Sequence, residues 1–236
     1  MIGPLAPAAA GGLDQAEALY GRGDMAGAAT LARSQKTASG FALAAKATLV
    51  QASYLSPDAT KQALFEQAEA DAKNALALDP AQVDAHLQLA VALGQLAELE
   101  DPISAHVGGY AGEGKTLLDQ ALALDPDNAW ARALLGMWHL RIVHRAGDAL
   151  AESLYGASRE TGVALCSEAL AGTDQALAVK YGCARTLVEL DPDAFAGMAA
   201  QTLDALKQAP TEDAVDRLVQ AEAAQLLAEL KAGAAQ

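Results

Sequence analysis

Gly109 to Thr116 reads GYAGEGKT, which fits the pattern G-x-x-x-x-G-K-[ST] letter for letter. Where that pattern binds nucleotides, glycine-rich backbone N–H groups cradle phosphates, the lysine reaches the terminal phosphates and the hydroxyl holds magnesium. The chemistry requires a buried strand that delivers the loop to the start of a helix. Upstream stands LAELEDPISAHVG, with adjacent acids and a proline where that strand belongs. Downstream, LVELD at Leu187 to Asp191 has the form of a magnesium-supporting segment. LALD at Leu76 to Asp79 and at Leu122 to Asp125 has the same form. Nucleotide binding is therefore kept only as a minor alternative.

Other reactive residues are sparse. His86, His106, His139 and His144 form no His-x-x-x-His pair, and the last two, five apart, diverge on a helix. Ser158, in GASRE, lacks the Gly-x-Ser-x-Gly elbow of a nucleophilic serine. Cys166 and Cys183 are too few for a disulfide framework. If Ala171-Gly172-Thr173 is a turn between antiparallel helices, they lie almost a helical turn out of register; two buried free thiols are expected, with a poorly registered bridge as the alternative. The many carboxylates suit a solvated acidic face. No catalytic residue, metal or cofactor is expected, and the chain does not read as an enzyme.

The elements that carry these residues follow from composition. Of 236 residues, 52% are hydrophobic but only 4% aromatic, so alanine and leucine supply the apolar content and favour helix over strand. Sixteen basic against thirty acidic residues leave a formal charge of −14, which opposes binding to nucleic acid and anionic lipid. The densest basic stretch, Arg141 to Arg145, has two arginines. No run of about twenty apolar residues exists to cross a membrane. MIGPLAPAAAGG at the start looks like the tail of a secretory signal, so residues 1–11 are set apart from a single domain over 12–236. Export to a periplasm is the expectation, with a cytoplasmic location as the alternative.

Internal repetition organises the rest. ALALDP occurs at Ala75 to Pro80 and at Ala121 to Pro126, and LVELDP at Leu187 to Pro192. Aligned on the prolines, Ala85 pairs with Ala131, Leu89 with Leu135, Ala90 with Gly136, and Ala68 with Gly114. Gly23-Asp24 and Gly147-Asp148 have the form of inter-helix turns before alanine-rich helix. The pattern resembles the tetratricopeptide repeat, a helix-turn-helix unit of about 34 residues with small side chains at helix crossings. Gly114 then belongs to a crossing rather than to a phosphate loop. The resemblance covers most of Gly12 to Pro192, with an insertion over Leu99 to Gly109 read as loop. It implies an all-α, right-handed superhelix of stacked antiparallel hairpins.

Helices are predicted over Leu13 to Tyr20, Met25 to Ser34, Ala38 to Leu55, Ala59 to Leu78, Val83 to Glu98 and Tyr110 to Leu124. Others follow over Ala129 to His144, Ala149 to Leu170, Asp174 to Glu189, Asp193 to Lys207 and Glu212 to Lys231. The resemblance further implies that the first helix of each unit lines a concave groove. On this chain that set is Asp84, Leu87, Val91 and Gln95, then Trp130, Ala133, Met137 and Arg141. Members that clamp a C-terminal carboxylate carry lysine and asparagine at places held here by Leu87, Val91, Ala133 and Met137, so that mode is not expected. The reading is a non-catalytic scaffold whose groove takes a basic or amphipathic peptide or protein. The alternative is a periplasmic carrier of a small apolar ligand.

Overall fold

A computed structural model describes residues 11–172 and 176–233, and these form helices joined by short turns, without a strand. The segment read as a signal remnant lies outside them except for Gly11, and so do Thr173 of the proposed turn and the start proposed at Asp174. The first pair is α1 (Gly12–Arg22) and α2 (Met25–Ser34). It turns at Gly23, whose φ of 94° only glycine adopts at no steric cost, and at Asp24, which accepts from the Gly27 N–H at 2.9 Å. Next come α3 (Ala38–Val50), which widens into a π-helical turn over Gln51–Leu55, and α4 (Asp58–Leu78). Then follow α5 (Val83–Leu99), α6 (Pro102–Val107), α7 (Tyr110–Leu124) and α8 (Ala129–Ala146). The chain continues through α9 (Asp148–Tyr155), α10 (Arg159–Ala171), α11 (Leu177–Leu190), α12 (Pro192–Gln208) and α13 (Ala214–Gly233).

Two expectations need correction. The insertion over Leu99 to Gly109 contains α6. Asp101 caps it by accepting from the N–H groups of Ile103 and Ser104, with Pro102 at the first helical position. The helix expected over Ala149 to Leu170 is two helices. Gly156 turns left-handed at φ 65°, and Ser158 caps the second helix.

The main neighbours are sequential: α3 on α4, α5 on α7, α8 on α10 and α11 on α12, with α3 beside α5 and α8 beside α11. Alanines dominate these contacts, because a small side chain lets helices approach closely. Asp71 of α4 is 1% exposed and is held by Arg33 of α2 through a fork, Nε to Oδ1 at 2.8 Å and Nη2 to Oδ2 at 2.5 Å. The last helix packs on α11 and α12 and also meets the first hairpin. Tyr20 and Met25 share one apolar core with Leu203, Val219 and Leu227.

Candidate functional site

The phosphate-loop letters fold as helix. Gly109, at φ 73°, precedes α7, and α6 occupies the place where a strand would be needed. Lys115 and Thr116 lie inside α7, where backbone N–H groups point at carbonyls four residues back rather than at a ligand. Lys115 pairs with Asp119 at 2.7 Å, and the Thr116 hydroxyl donates to the Gly112 carbonyl at 3.0 Å. Gly114 is buried beneath Trp138, whose indole N–H donates to the Ala111 carbonyl at 3.0 Å. Lys115→Ala should change stability by only about 0.5 kcal/mol in urea titration, the worth of an exposed i,i+4 pair. Calorimetry with ATP should show no binding before or after; micromolar binding abolished in Lys115→Ala would restore the nucleotide reading.

No group of three or more potential metal ligands occurs among the described residues. His86 meets the Pro80 carbonyl through Nε2 at 2.9 Å, and His106 meets the Tyr155 hydroxyl. Buried His139 accepts at Nδ1 from the Ser158 N–H at 3.0 Å, at the start of α10. Burial, then the nearby Lys115 charge, lowers its pKa from the ordinary 6.5. Neutral His139 is therefore the form the fold prefers. Its contribution is complete above about pH 6.5 and lost as pH falls below that. Thermal melts from pH 8 to pH 5 should show this loss, and His139→Asn, which keeps an acceptor but cannot charge, should flatten it.

Cys166 and Cys183 are free, buried and in one core between α10 and α11. Their mutual hydrogen bond, then burial, pushes the Cys166 thiol far up, so it is not a nucleophile at neutral pH.

The groove residues separate into two groups. Leu87 is fully buried against Leu118, Ala121 and Ala131, Ala133 is 1% exposed, and Met137 packs under α11 with Sδ 2.8 Å from where a Cβ on Gly182 would stand. These three are interior residues, a correction to their expected exposure, because α7 and α11 cover the faces that carry them. Trp130 is partly buried between two cores. Asp84 is exposed, and Val91, Gln95 and Arg141 are partly exposed.

Arg141 leads to the most developed polar feature. Its Nη1 meets Glu98 Oε1 of α5 at 2.7 Å, on the wall of a cavity of about 440 Å³ that is also lined by Pro102, His144, Arg145, Thr186 and Glu189. Arg145 donates to the carbonyls of Ala97 and Glu100 at 2.7 and 2.9 Å, completing the end of α5. Glu189 pairs with Arg185 at 2.6 Å. Arg141 Nε and Thr186 Oγ1 are buried with no hydrogen-bond partner. The repeat resemblance implied Gln95 and Arg141; helical spacing of three and four residues from them reaches Glu98 and Arg145. Nothing in the repeat alignment singled out Thr186 or Glu189, since α11 follows a unit boundary without the Asp-Pro signature.

A family model described as regulator of microtubule dynamics protein 1-3 matches residues 13–231, from α1 into α13. The chain belongs to this family. No curated protein matches the chain. The match to the regulator of microtubule dynamics family takes α1 to α13 together, and the all-helical chain is loosely consistent with the tetratricopeptide likeness. In this family member, no helix among the described residues is long and apolar enough to cross a membrane.

Proposed function

We propose that the chain is a non-catalytic binding module that docks a peptide segment of a protein partner across α5, α8 and α11. The observation that carries this is the cavity on that face, where Arg141 and Thr186 hold polar groups with no hydrogen-bond partner among the described residues. We read the sequential packing as a right-handed superhelix with α3, α5, α8 and α11 on its inner side. In that reading α13 fills part of the inner side, consistent with the Tyr181 hydroxyl donating to Glu222 at 3.4 Å. The end near α6 is left for a partner, with Gln95 one turn before Glu98 on α5, whereas Trp130 stands at the other end of α8. The family description concerns regulation of microtubule dynamics, and we take from it a regulatory role exercised by binding. A lining with five ionisable side chains suits a polar peptide better than an apolar cargo.

A photo-crosslinking residue placed at Gln95 should capture a discrete protein in cells. The same residue at exposed Glu66 of α4 should not. Equal capture at both positions, or none at Gln95, would remove the docking face.

A further inference from the structure

We propose that the cavity between α5, α8 and α11 recognises a single carboxylate carried by the partner peptide, through the Nε edge of Arg141 and the hydroxyl of Thr186. This rests on the docking face proposed above and names the chemistry it reads. The residues are not those a tetratricopeptide carboxylate clamp would use.

Donor supply is the first support. A guanidinium offers five N–H groups in a fixed fork, and Glu98 takes one of them, at Nη1. The Nε–H is out of contact with water and without an acceptor. Thr186, 2% exposed on the facing helix, is equally unpaired. Three helical threonines elsewhere in the chain return their proton to their own helix: Thr48 to Ala44 at 2.8 Å, Thr116 to Gly112 at 3.0 Å and Thr202 to Met198 at 3.1 Å. Thr186 does not. Two unmade hydrogen bonds on facing helices are costly in the free chain and are recovered when a ligand oxygen arrives.

Charge fixes the kind of ligand. Glu98 is matched by Arg141 and Glu189 by Arg185. Arg145 is held by two carbonyls, and no ion pair among the described residues neutralises it. The lining alone balances two arginines against two glutamates; with Arg185, which pairs Glu189 from outside the lining, one positive charge is left over in a chain whose net charge is −14. A carboxylate cancels it, whereas the second charge of a phosphate would face Glu98 and Glu189. The cavity of about 440 Å³ admits a glutamate-sized side chain. Binding turns Arg141 so that its Nε edge meets the ligand side-on, the geometry in which guanidinium and carboxylate make two parallel bonds. Glu98, 37% exposed, is free to release into water.

The test follows the arginine Nε–H resonances of the ¹⁵N-labelled full chain. Its probes are an acetylated hexaglutamate peptide, the hexaglutamine peptide, glutarate and inorganic phosphate. The hexaglutamate peptide should shift the Arg141 signal, and hexaglutamine should not. Arg141→Lys keeps the charge but loses the fork, and should weaken peptide binding by roughly tenfold or more. Thr186→Val should also weaken binding, while its melting temperature stays level or rises because an unsatisfied hydroxyl has gone. A purely structural threonine would behave in the opposite way, losing stability and leaving binding intact, and that result overturns the proposal. Equal response to hexaglutamine, no Arg141 shift with hexaglutamate, or a stronger response to phosphate also overturns it. Response to glutarate but not to the peptide overturns the assignment to a partner. Crosslinking at Gln95 with no response to hexaglutamate leaves the docking face standing and removes the carboxylate. The reverse combination removes the docking face.

Discussion

Arg33→Ala should destabilise the chain by about 3–5 kcal/mol, a large share of the stability of an ordinary domain. The reason lies in what is left behind. Asp71 is 1% exposed on α4, and both of its carboxylate oxygens are bound by the Arg33 fork from α2. Removing the arginine strands a charge that water cannot reach. The reverse change, Asp71→Ala, should cost less, because the Arg33 side chain is 33% exposed and can turn its guanidinium to solvent. Replacing both at once, as Arg33→Met with Asp71→Leu, should recover most of the loss, since an apolar pair of similar volume carries no desolvation penalty. Urea midpoints of the three variants test the order. Equal losses in the two single variants would show that the pair is not governed by the burial of Asp71.

Gly136→Ala should destabilise by about 1–3 kcal/mol, although alanine is the better helix former. A Cβ there would stand 2.8 Å from Leu165 Cβ and 3.1 Å from the Cys166 backbone nitrogen. Neither atom can swing away, so α8 and α10 must separate. The same substitution at Gly114 should go the other way. Its new methyl would stand 3.9 Å from Trp138, an ordinary contact, and the helix gains roughly 0.5–1 kcal/mol from losing a glycine. Opposite shifts in melting temperature for one chemical change would place the tight crossing at Gly136. A loss at Gly114 as large as at Gly136 would contradict the geometry.

The helices were readable because alanine-leucine runs, caps and Asp-Pro closures agree. Met25–Ser34 and Tyr110–Leu124 stand where the sequence reading put them. What was misread has a common cause. Asp101-Pro102 marks a loop in one setting and the first turn of a helix in another, and nothing local decides between them. Gly156 followed by Ser158 is a stop and a start two residues apart, hidden inside a continuous apolar pattern. Of the groove residues that the repeat resemblance implied, Arg141 and Gln95 do lie on a partly open face. The resemblance also put Leu87, Ala133 and Met137 there, because a repeat pattern tells which residues share a stripe but not which neighbour lies on it. Thr186 had no signal, since what distinguishes it is a missing bond rather than a residue type.

The contact between the first hairpin and α13 changes how the molecule can come apart. A linear array of helical pairs opens from either end, each unit held only by the next. Here Tyr20 and Met25 share a core with Val219 and Leu227, so the outermost elements hold each other. Bringing together positions roughly 200 residues apart, rather than about 34, costs only about 1.5 kcal/mol more in closure entropy, a sum that a buried aromatic and its neighbours exceed. Amide exchange in α1 and α13 should then slow together and fail together. The molecule gives up the stepwise fraying of a repeat array for a single shared opening event, and a partner that pries at either end must work against both.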